Sequence, residues 1–303
     1  PNIVIVGNKK TFDMVEGFYG VGGERYVVGE GDFLALGHHK LRFSLIPMVH
    51  WPETMVTYDE TEGILFSGDA FGCFGALNGG VIDANINTDI YWDEMVRYYS
   101  NIVGKYGAPV QKALQKLQTL KINAICSTHG PVWTEEIPRV VRIYDRLSRY
   151  EAEEGVVIAY GTMYGNTAEM AEAIAEELSK QGIRNIVMHN VSHTNHSYII
   201  ADVFKYRGLI VGCPTYNTQM YPEMEALLNK LSAREIKGRY MGWFGSFTWA
   251  SDAVKKITEF NDKLKFEPVG NPIEMKHSMK SETYVQCKEL AKAMADRLKA
   301  DRT

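Results

Sequence analysis

Three side chains with metal-ligand chemistry stand at the ends of three apolar runs. "PMVHWPETM" places His50 after the first, "FSGDAFG" places Asp69 after the second, and "STHGPVW" places His129 after the third. Each is flanked by Gly or Pro, the residues that turn a chain as it leaves a strand. Taken singly, His129 reads as a turn histidine and Asp69 as a solvated loop carboxylate. As a set, spaced His-x18-Asp-x59-His, two imidazoles and a carboxylate form a donor group suited to zinc or iron. A carboxylate such as Asp69 can also bridge two metals. His50, Asp69 and His129 are therefore the candidate catalytic and metal-binding residues.

A second constellation lies further along. In "YGTMYGNTAEM" a strand gives way to Thr162, Met163, Tyr164, Gly165, Asn166 and Thr167, and then to a helix with Thr167 as the expected N-cap. Hydroxyls, an amide and backbone N–H groups at a helix N-terminus make an anion site. The loop has no P-loop lysine and is not G-x-G-x-x-G, so neither ATP nor a dinucleotide is favoured. Two later strand exits, "GCPTYNTQMYPEM" and "GWFGSFTWASDA", set Tyr216, Phe247 and Trp249 in loops. Exposed aromatics are costly unless they stack on something planar.

The elements that must position these groups follow two grammars. Residues 1–150 are strand-rich: alternating runs from Glu24 to His50, a hairpin over residues 54–72, a helical stripe from Tyr91 to Leu120, a strand at Ile122–Cys126 and a helix over 134–150. Residues 3–7 read as a buried strand, and a domain that opens in mid-strand is expected to have more chain upstream. From Gly155 strands and helices alternate strictly, with helices at 167–181, 196–206, 221–234, 249–264 and 282–300, the signature of a doubly wound parallel sheet. The charged stretch "RYEAEEG" (149–155) divides the halves. The expected class is α/β, with domains at 1–150 and 155–303.

Composition sets outer bounds. A net charge of −4 with scattered Lys and Arg excludes a nucleic-acid stripe. No apolar run reaches the ~18–20 residues that span a bilayer. Four distant cysteines, without a C-x-x-C pair, fit a reducing cytoplasm.

Residues 155–300 resemble flavodoxin. In that family the T-x-x-x-N-T-like loop holds the phosphate of FMN and the next two loops sandwich its ring. The resemblance thus assigns Thr162–Thr167 to the phosphate, and Pro214, Thr215, Tyr216, Asn217, Gly245, Ser246, Phe247, Thr248 and Trp249 to the ring. Thr248 stands where a more flexible residue is expected. The first half, through "H-W-P-x-(S/T)-M" and "F-S-x-D-A-F-G", resembles the C-terminal portion of a metallo-β-lactamase-like αββα domain. Together the halves resemble the flavodiiron proteins (A-type flavoproteins).

That resemblance implies a non-haem diiron centre that reduces dioxygen to water, nitric oxide to nitrous oxide, or both. Electrons would arrive through FMN from rubredoxin, a reduced deazaflavin or an NADH-linked reductase. It implies two irons per chain in the full family, His50 and His129 each on one iron with Asp69 between them, and a head-to-tail homodimer or dimer of dimers. The family's other ligands come from an H-x-E-x-D-H motif, which these 303 residues lack. Either the polypeptide is a piece of a longer protein or it is a natural short form. Two rival readings follow: an FMN electron carrier whose lactamase-like domain is metal-free, and a zinc hydrolase with an accessory flavin domain. His38 and His39 are expected in a solvent-exposed turn, and His189, His193 and His196 on the surface.

Overall fold

The computed structural model describes residues 3–20 and 22–301. Residues 1–149 and 150–303 form two compact units.

The first unit opens with β1 (Val4–Gly7), α1 (Lys9–Tyr19) and β2 (Glu24–Val27). β1 pairs in parallel with β2 as a separate two-stranded sheet. The expected burial of this strand is not found: Val4 is 44% exposed, because among the described residues the pair is joined to no larger sheet. Next come β3 (Phe33–Leu36), β4 (His39–Leu45), β5 (Met55–Asp59), β6 (Ile64–Gly68) and, after the helices, β7 (Ala124–Ser127), which form a five-stranded sheet in chain order. Pairings are antiparallel from β3 to β6, and β6–β7 is parallel. β4, β6 and β7 therefore run in one direction. Their exits, which carry His50, Asp69 and His129, open on the same end of the sheet.

A parallel β6–β7 pair needs a crossover, and α2 (Asp89–Tyr98) and α3 (Gly107–Leu117) supply it. The stripe from Tyr91 to Leu120 is not one helix. Between α2 and α3 lie a π-turn at Tyr99–Val103 and a 3₁₀ turn at Gly104–Tyr106. Gly104, Gly107 and Pro109 cluster at this junction, and Pro109 has no N–H to offer a continuous helix. Tyr98 and Tyr99, at the start of the widened turn, are both buried. α4 (Ile137–Ser148) closes the unit. Its N-terminus is held by a distant residue: the Asp83 carboxylate accepts from the backbone N–H groups of Thr134, Glu135 and Glu136.

The second unit runs β8 (Glu153–Tyr160), α5 (Asn166–Lys180), β9 (Ile186–Asn190), α6 (His196–Lys205), β10 (Tyr206–Tyr216), β11 (Gln219–Met220), α7 (Pro222–Ser232), β12 (Tyr240–Phe247), α8 (Ala253–Leu264), β13 (Glu267–Pro268), β14 (Ile273–Lys276) and α9 (Ser281–Ala300). Residues 153–155 of the charged stretch are the start of β8. The last expected strand is split in two at Gly270-Asn271-Pro272, where Gly270 has φ of +68°, and both pieces pair with β12. Counting them as one position, the parallel order is 2-1-3-4-5, β9-β8-β10-β12 and then the split strand. The order reverses between β8 and β10, and such a switch point opens a crevice at the carboxyl ends of the strands.

The central strands β8, β10 and β12 carry continuous buried runs because helices cover both faces. Val156, Ile158, Ile210 and Phe244 pack against Met170, Ile174, Leu290 and Met294, all almost fully buried. Each such burial stabilises by about 1.5–3 kcal/mol. Gly212 is required in β10: a Cβ there would lie 2.2 Å from the Phe244 ring. The chain is an α/β protein, a lactamase-like sheet-and-helix unit followed by a flavodoxin-like doubly wound sheet.

Candidate functional site

In the first unit the three strand exits bring their side chains together. Asp69 Oδ2 lies 3.2 Å from His50 Nε2, and Asp69 Oδ1 lies 3.6 Å from His129 Nε2. The carboxylate thus turns one oxygen to each imidazole. Its orientation is fixed by Thr128, whose hydroxyl donates to Oδ1 at 2.7 Å.

The floor of the cluster is built from buried aromatics and a thiol. Tyr98 packs 5.6 Å, ring to ring, from His129, with its hydroxyl 3.4 Å from the Asp69 carbonyl oxygen. Burial, helped by the charge of Asp69, raises the Tyr98 phenol well above its ordinary pKa, so it stays a neutral donor. The loop after Asp69 is pinned by the Tyr144 hydroxyl, which donates to the Gly72 carbonyl at 3.1 Å, and by Trp133 Nε1, which donates to that of Phe71 at 3.1 Å. Beneath His129 lies Cys73, 2% exposed, whose pKa burial pushes up to about 12. Without a metal it is a neutral thiol packed in the core. The Gly-Pro corner is accounted for here: Gly130 has φ of +85° and rests against the Cys73 sulfur.

Around a metal with bonds of about 2.0–2.2 Å, adjacent ligand atoms stand roughly 3–3.6 Å apart. The His50–Asp69 and His129–Asp69 spacings are such edges, one on each side of the carboxylate. In kind and spacing the donors suit a carboxylate-bridged pair of metals. In number they fall short, since each metal would receive two protein donors where three or four are usual. Among the described residues no group of three or more His, Cys, Asp or Glu is arranged to hold a metal. The set alone therefore does not hold a dinuclear centre.

Two of the other histidines have structural partners. His39 is not in a turn but opens β4, with Nδ1 2.7 Å from the buried Asp59 carboxylate. His189 is not on the surface: its side chain is 12% exposed and 2.7 Å from Asp202.

In the second unit the carboxyl ends of β8, β10 and β12 surround a cleft of about 670 Å³, within the usual size of small-molecule sites, about 300–1,000 Å³. Thr162, Met163, Tyr164, Asn166 and Thr167 line one side, Pro214, Thr215, Tyr216 and Asn217 another, and Ser246, Phe247, Thr248 and Trp249 a third. Gly165, exposed, and Gly245, buried, are not among the lining residues. Gly165, with φ of +89°, takes the cap position of α5 that Thr167 was expected to hold. Thr167 is buried instead, its hydroxyl 2.8 Å from Ser246 Oγ, which ties the first loop to the third. Thr162 Oγ1 accepts from the Gly165 N–H at 3.1 Å.

The second exit is a hairpin rather than an open loop. Asn217 and Thr218, both with positive φ, turn the chain back into β11, which pairs with the end of β10. The Thr215 hydroxyl accepts from the Asp252 and Ala253 N–H groups at 3.0 and 3.1 Å and so ties the cleft wall to the start of α8.

The cradle suits a flavin nucleotide. The first turn of α5 leaves backbone N–H groups without helical partners, a seat for a phosphate. Trp249 is 90% exposed, Tyr164 89% and Tyr216 48%, ring faces in water beside a cleft. Thr218, Ala250 and His277 also line it and were not singled out from sequence. His277 had a signal, because "IEMKHS" is a fourth strand exit at the same end of the sheet.

Comparison with known proteins follows the same division. Residues 158–299 match the flavodoxin family model, and residues 3–130 the model of the ODP family beta lactamase. An uncharacterized protein of Methanocaldococcus jannaschii is 31% identical over 97% of this chain and 75% of its own length. A nitric oxide reductase of Moorella thermoacetica is 28% identical over 98% and 75%. Among solved structures, the rubredoxin oxygen:oxidoreductase of Desulfovibrio gigas superimposes with a TM-score of 0.94 at 26% identity, over 99% of this chain and 76% of that one. The flavodiiron protein of Giardia intestinalis does so with a TM-score of 0.94 at 26% identity, over 98% and 74%. With a lactamase-like sheet that gathers His50, Asp69 and His129, followed by a flavodoxin-like sheet with an aromatic-rimmed cleft, the chain belongs to the flavodiiron protein family.

Proposed function

We propose that this chain serves a flavodiiron-type oxidoreductase activity, the reduction of dioxygen to water, of nitric oxide to nitrous oxide, or of both. Its own residues supply an FMN site and three donors toward non-haem iron. The observation that carries this reading is the Asp69 carboxylate, one oxygen toward each of two imidazoles, in a chain that also builds an aromatic-rimmed cleft of small-molecule size. FMN, when bound, supplies a store of two electrons that can leave singly.

The protein's part is positional. The α5 N-terminus and Asn166 anchor the phosphate. Tyr216, Phe247 and Trp249 stack on the ring and keep water from it. Thr128 and Tyr98 fix the loops that hold Asp69 and His129. An external donor of the rubredoxin, deazaflavin or NADH-linked class, a head-to-tail homodimer and a cytoplasmic setting complete the proposal. The activities for which the Desulfovibrio and Moorella relatives are named support its oxygen and nitric oxide halves.

A second reading, an FMN electron carrier, is favoured by the shortage of metal donors among the described residues. One sample decides between them: iron, zinc and flavin content per chain, followed by consumption of dioxygen or nitric oxide with photoreduced deazaflavin. Stoichiometric iron with full flavin occupancy and gas consumption supports the first reading. Full flavin occupancy with negligible metal and no gas consumption overturns it in favour of the carrier, and zinc with ester hydrolysis overturns both.

A further inference from the structure

The flavin cleft is lined almost without charge. No carboxylate, ammonium or guanidinium group is among its lining residues; the titratable groups there are the phenols of Tyr164 and Tyr216 and the imidazole of His277. Imidazole is the side-chain type that gains and loses charge near neutral pH. His277 follows β14, held with φ of +68° and with its backbone N–H donating to the Phe247 carbonyl at 2.9 Å. It is thereby fastened to the loop that carries Phe247 and Trp249. The neighbouring charges on its own segment are the exposed Lys276 and Lys280 and Glu274, whose carboxylate accepts from Ser251 Oγ at 2.7 Å. The β12 exit offers Phe247, Thr248 and Trp249, the α5 loop Tyr164, and the β10 hairpin Tyr216.

We infer that His277 is the charge switch of the flavin cleft: its protonated form favours the reduced, anionic flavin, and its neutral form does not. This rests on the FMN reading above. Two-electron reduction with uptake of one proton leaves the isoalloxazine one unit more negative than its oxidised form. A second proton then resides on the His277 imidazole instead of the ring. By linkage, reduced flavin tightens proton binding at His277, and the proton tightens binding of reduced flavin by the same factor. Oxidised flavin, whose ring is neutral, feels little of this.

The test is anaerobic titration of the full chain with oxidised FMN and with dithionite-reduced FMN, the dithionite being oxidised to sulfite. The native protein is compared with His277→Asn, which tolerates a left-handed φ, from about pH 5.5 to 8.5, bracketing the imidazole range. Dividing one profile by the other removes the flavin's own titration. At the acid end the native chain should prefer reduced over oxidised FMN about fivefold more than the variant does, the effect of a unit charge a few ångströms away through water. The two should converge at the alkaline end. Superimposable profiles, with oxidised FMN bound equally by both, overturn the role of His277 and leave the flavin site standing. Failure of the native chain to bind oxidised FMN overturns the flavin reading and this inference with it.

Discussion

A Cβ on Gly130 would stand 2.4 Å from the sulfur of Cys73. That distance explains why the residue after His129 is glycine: the backbone is left-handed there and the buried thiol leaves no room. Gly130→Ala should destabilise the protein by about 2–5 kcal/mol, combining a left-handed penalty of roughly 1–2 with overpacking of roughly 1–3. In a Cys73→Ala background the clash with the sulfur is gone while the backbone penalty stays, so the loss should shrink by about 1–3 kcal/mol. Urea unfolding of the four proteins measures this cycle. Equal losses in both backgrounds would show that the thiol is not what confines the corner.

Asp69 is the group whose removal should matter most for any metal. Asp69→Ala deletes the oxygens that face His50 and His129, and should lower Zn²⁺ affinity by at least about tenfold, the range seen when even supporting groups of a metal site are lost. His189→Ala is the control, since that imidazole is engaged with Asp202 in the other unit. Calorimetric titration with Zn²⁺ distinguishes them. A loss in the His189 variant and none in the Asp69 variant would place the metal elsewhere.

Asp83 should be a measurable contributor to acid stability. Burial opposes its charge, but the Thr134 hydroxyl and the N–H groups of Glu136, Thr134 and Glu135 outweigh that and hold its pKa below the ordinary aspartate value. A carboxylate depressed in the fold stabilises fully above its unfolded pKa, near ~4, and the stabilisation disappears as pH falls through the folded value. Asp83→Asn should therefore cost about 1–3 kcal/mol at neutral pH and flatten the loss of stability below pH ~4. Urea midpoints across that range test it, and parallel curves for the two proteins would contradict the assignment.

The sequence showed most of this wherever local chemistry and fold agreed. Alternation of β8 to α9 was legible because the central strands β8, β10 and β12 hold continuous apolar runs and the helices between are periodic. His50, Asp69 and His129 were legible because each follows a strand, although their meeting depends on β4, β6 and β7 running the same way, which is a matter of pairing and not of composition. Asp83 was not legible. Its partners are 51 to 53 residues away, and a loop aspartate that caps a distant helix looks like any other. Thr167 was misplaced as the N-cap of α5, a position Gly165 takes with φ of +89°; its pairing with Ser246, like that of Thr215 with the α8 N-terminus, joins distant segments that local sequence does not reveal. The break between α2 and α3 hid inside an unbroken apolar stripe, since a π-turn keeps neighbouring aromatics inward.

The two ends of the flavin cleft should be separable by ligand. Asn166 stands in the first turn of α5, where a phosphate would sit, and Trp249 stands at the far rim with its ring exposed. Asn166→Ala should weaken FMN by about tenfold, the worth of one hydrogen bond to a charged group, and leave riboflavin, which has no phosphate, bound as before. Trp249→Ala removes a stacking surface of about 1–3 kcal/mol per ring, on the scale of bases stacked on aromatics, and should weaken FMN and riboflavin alike. Quenching of flavin fluorescence gives all four affinities. If Asn166→Ala weakened both ligands equally, the amide would be shaping the loop and the phosphate would be held by the backbone N–H groups of α5 alone.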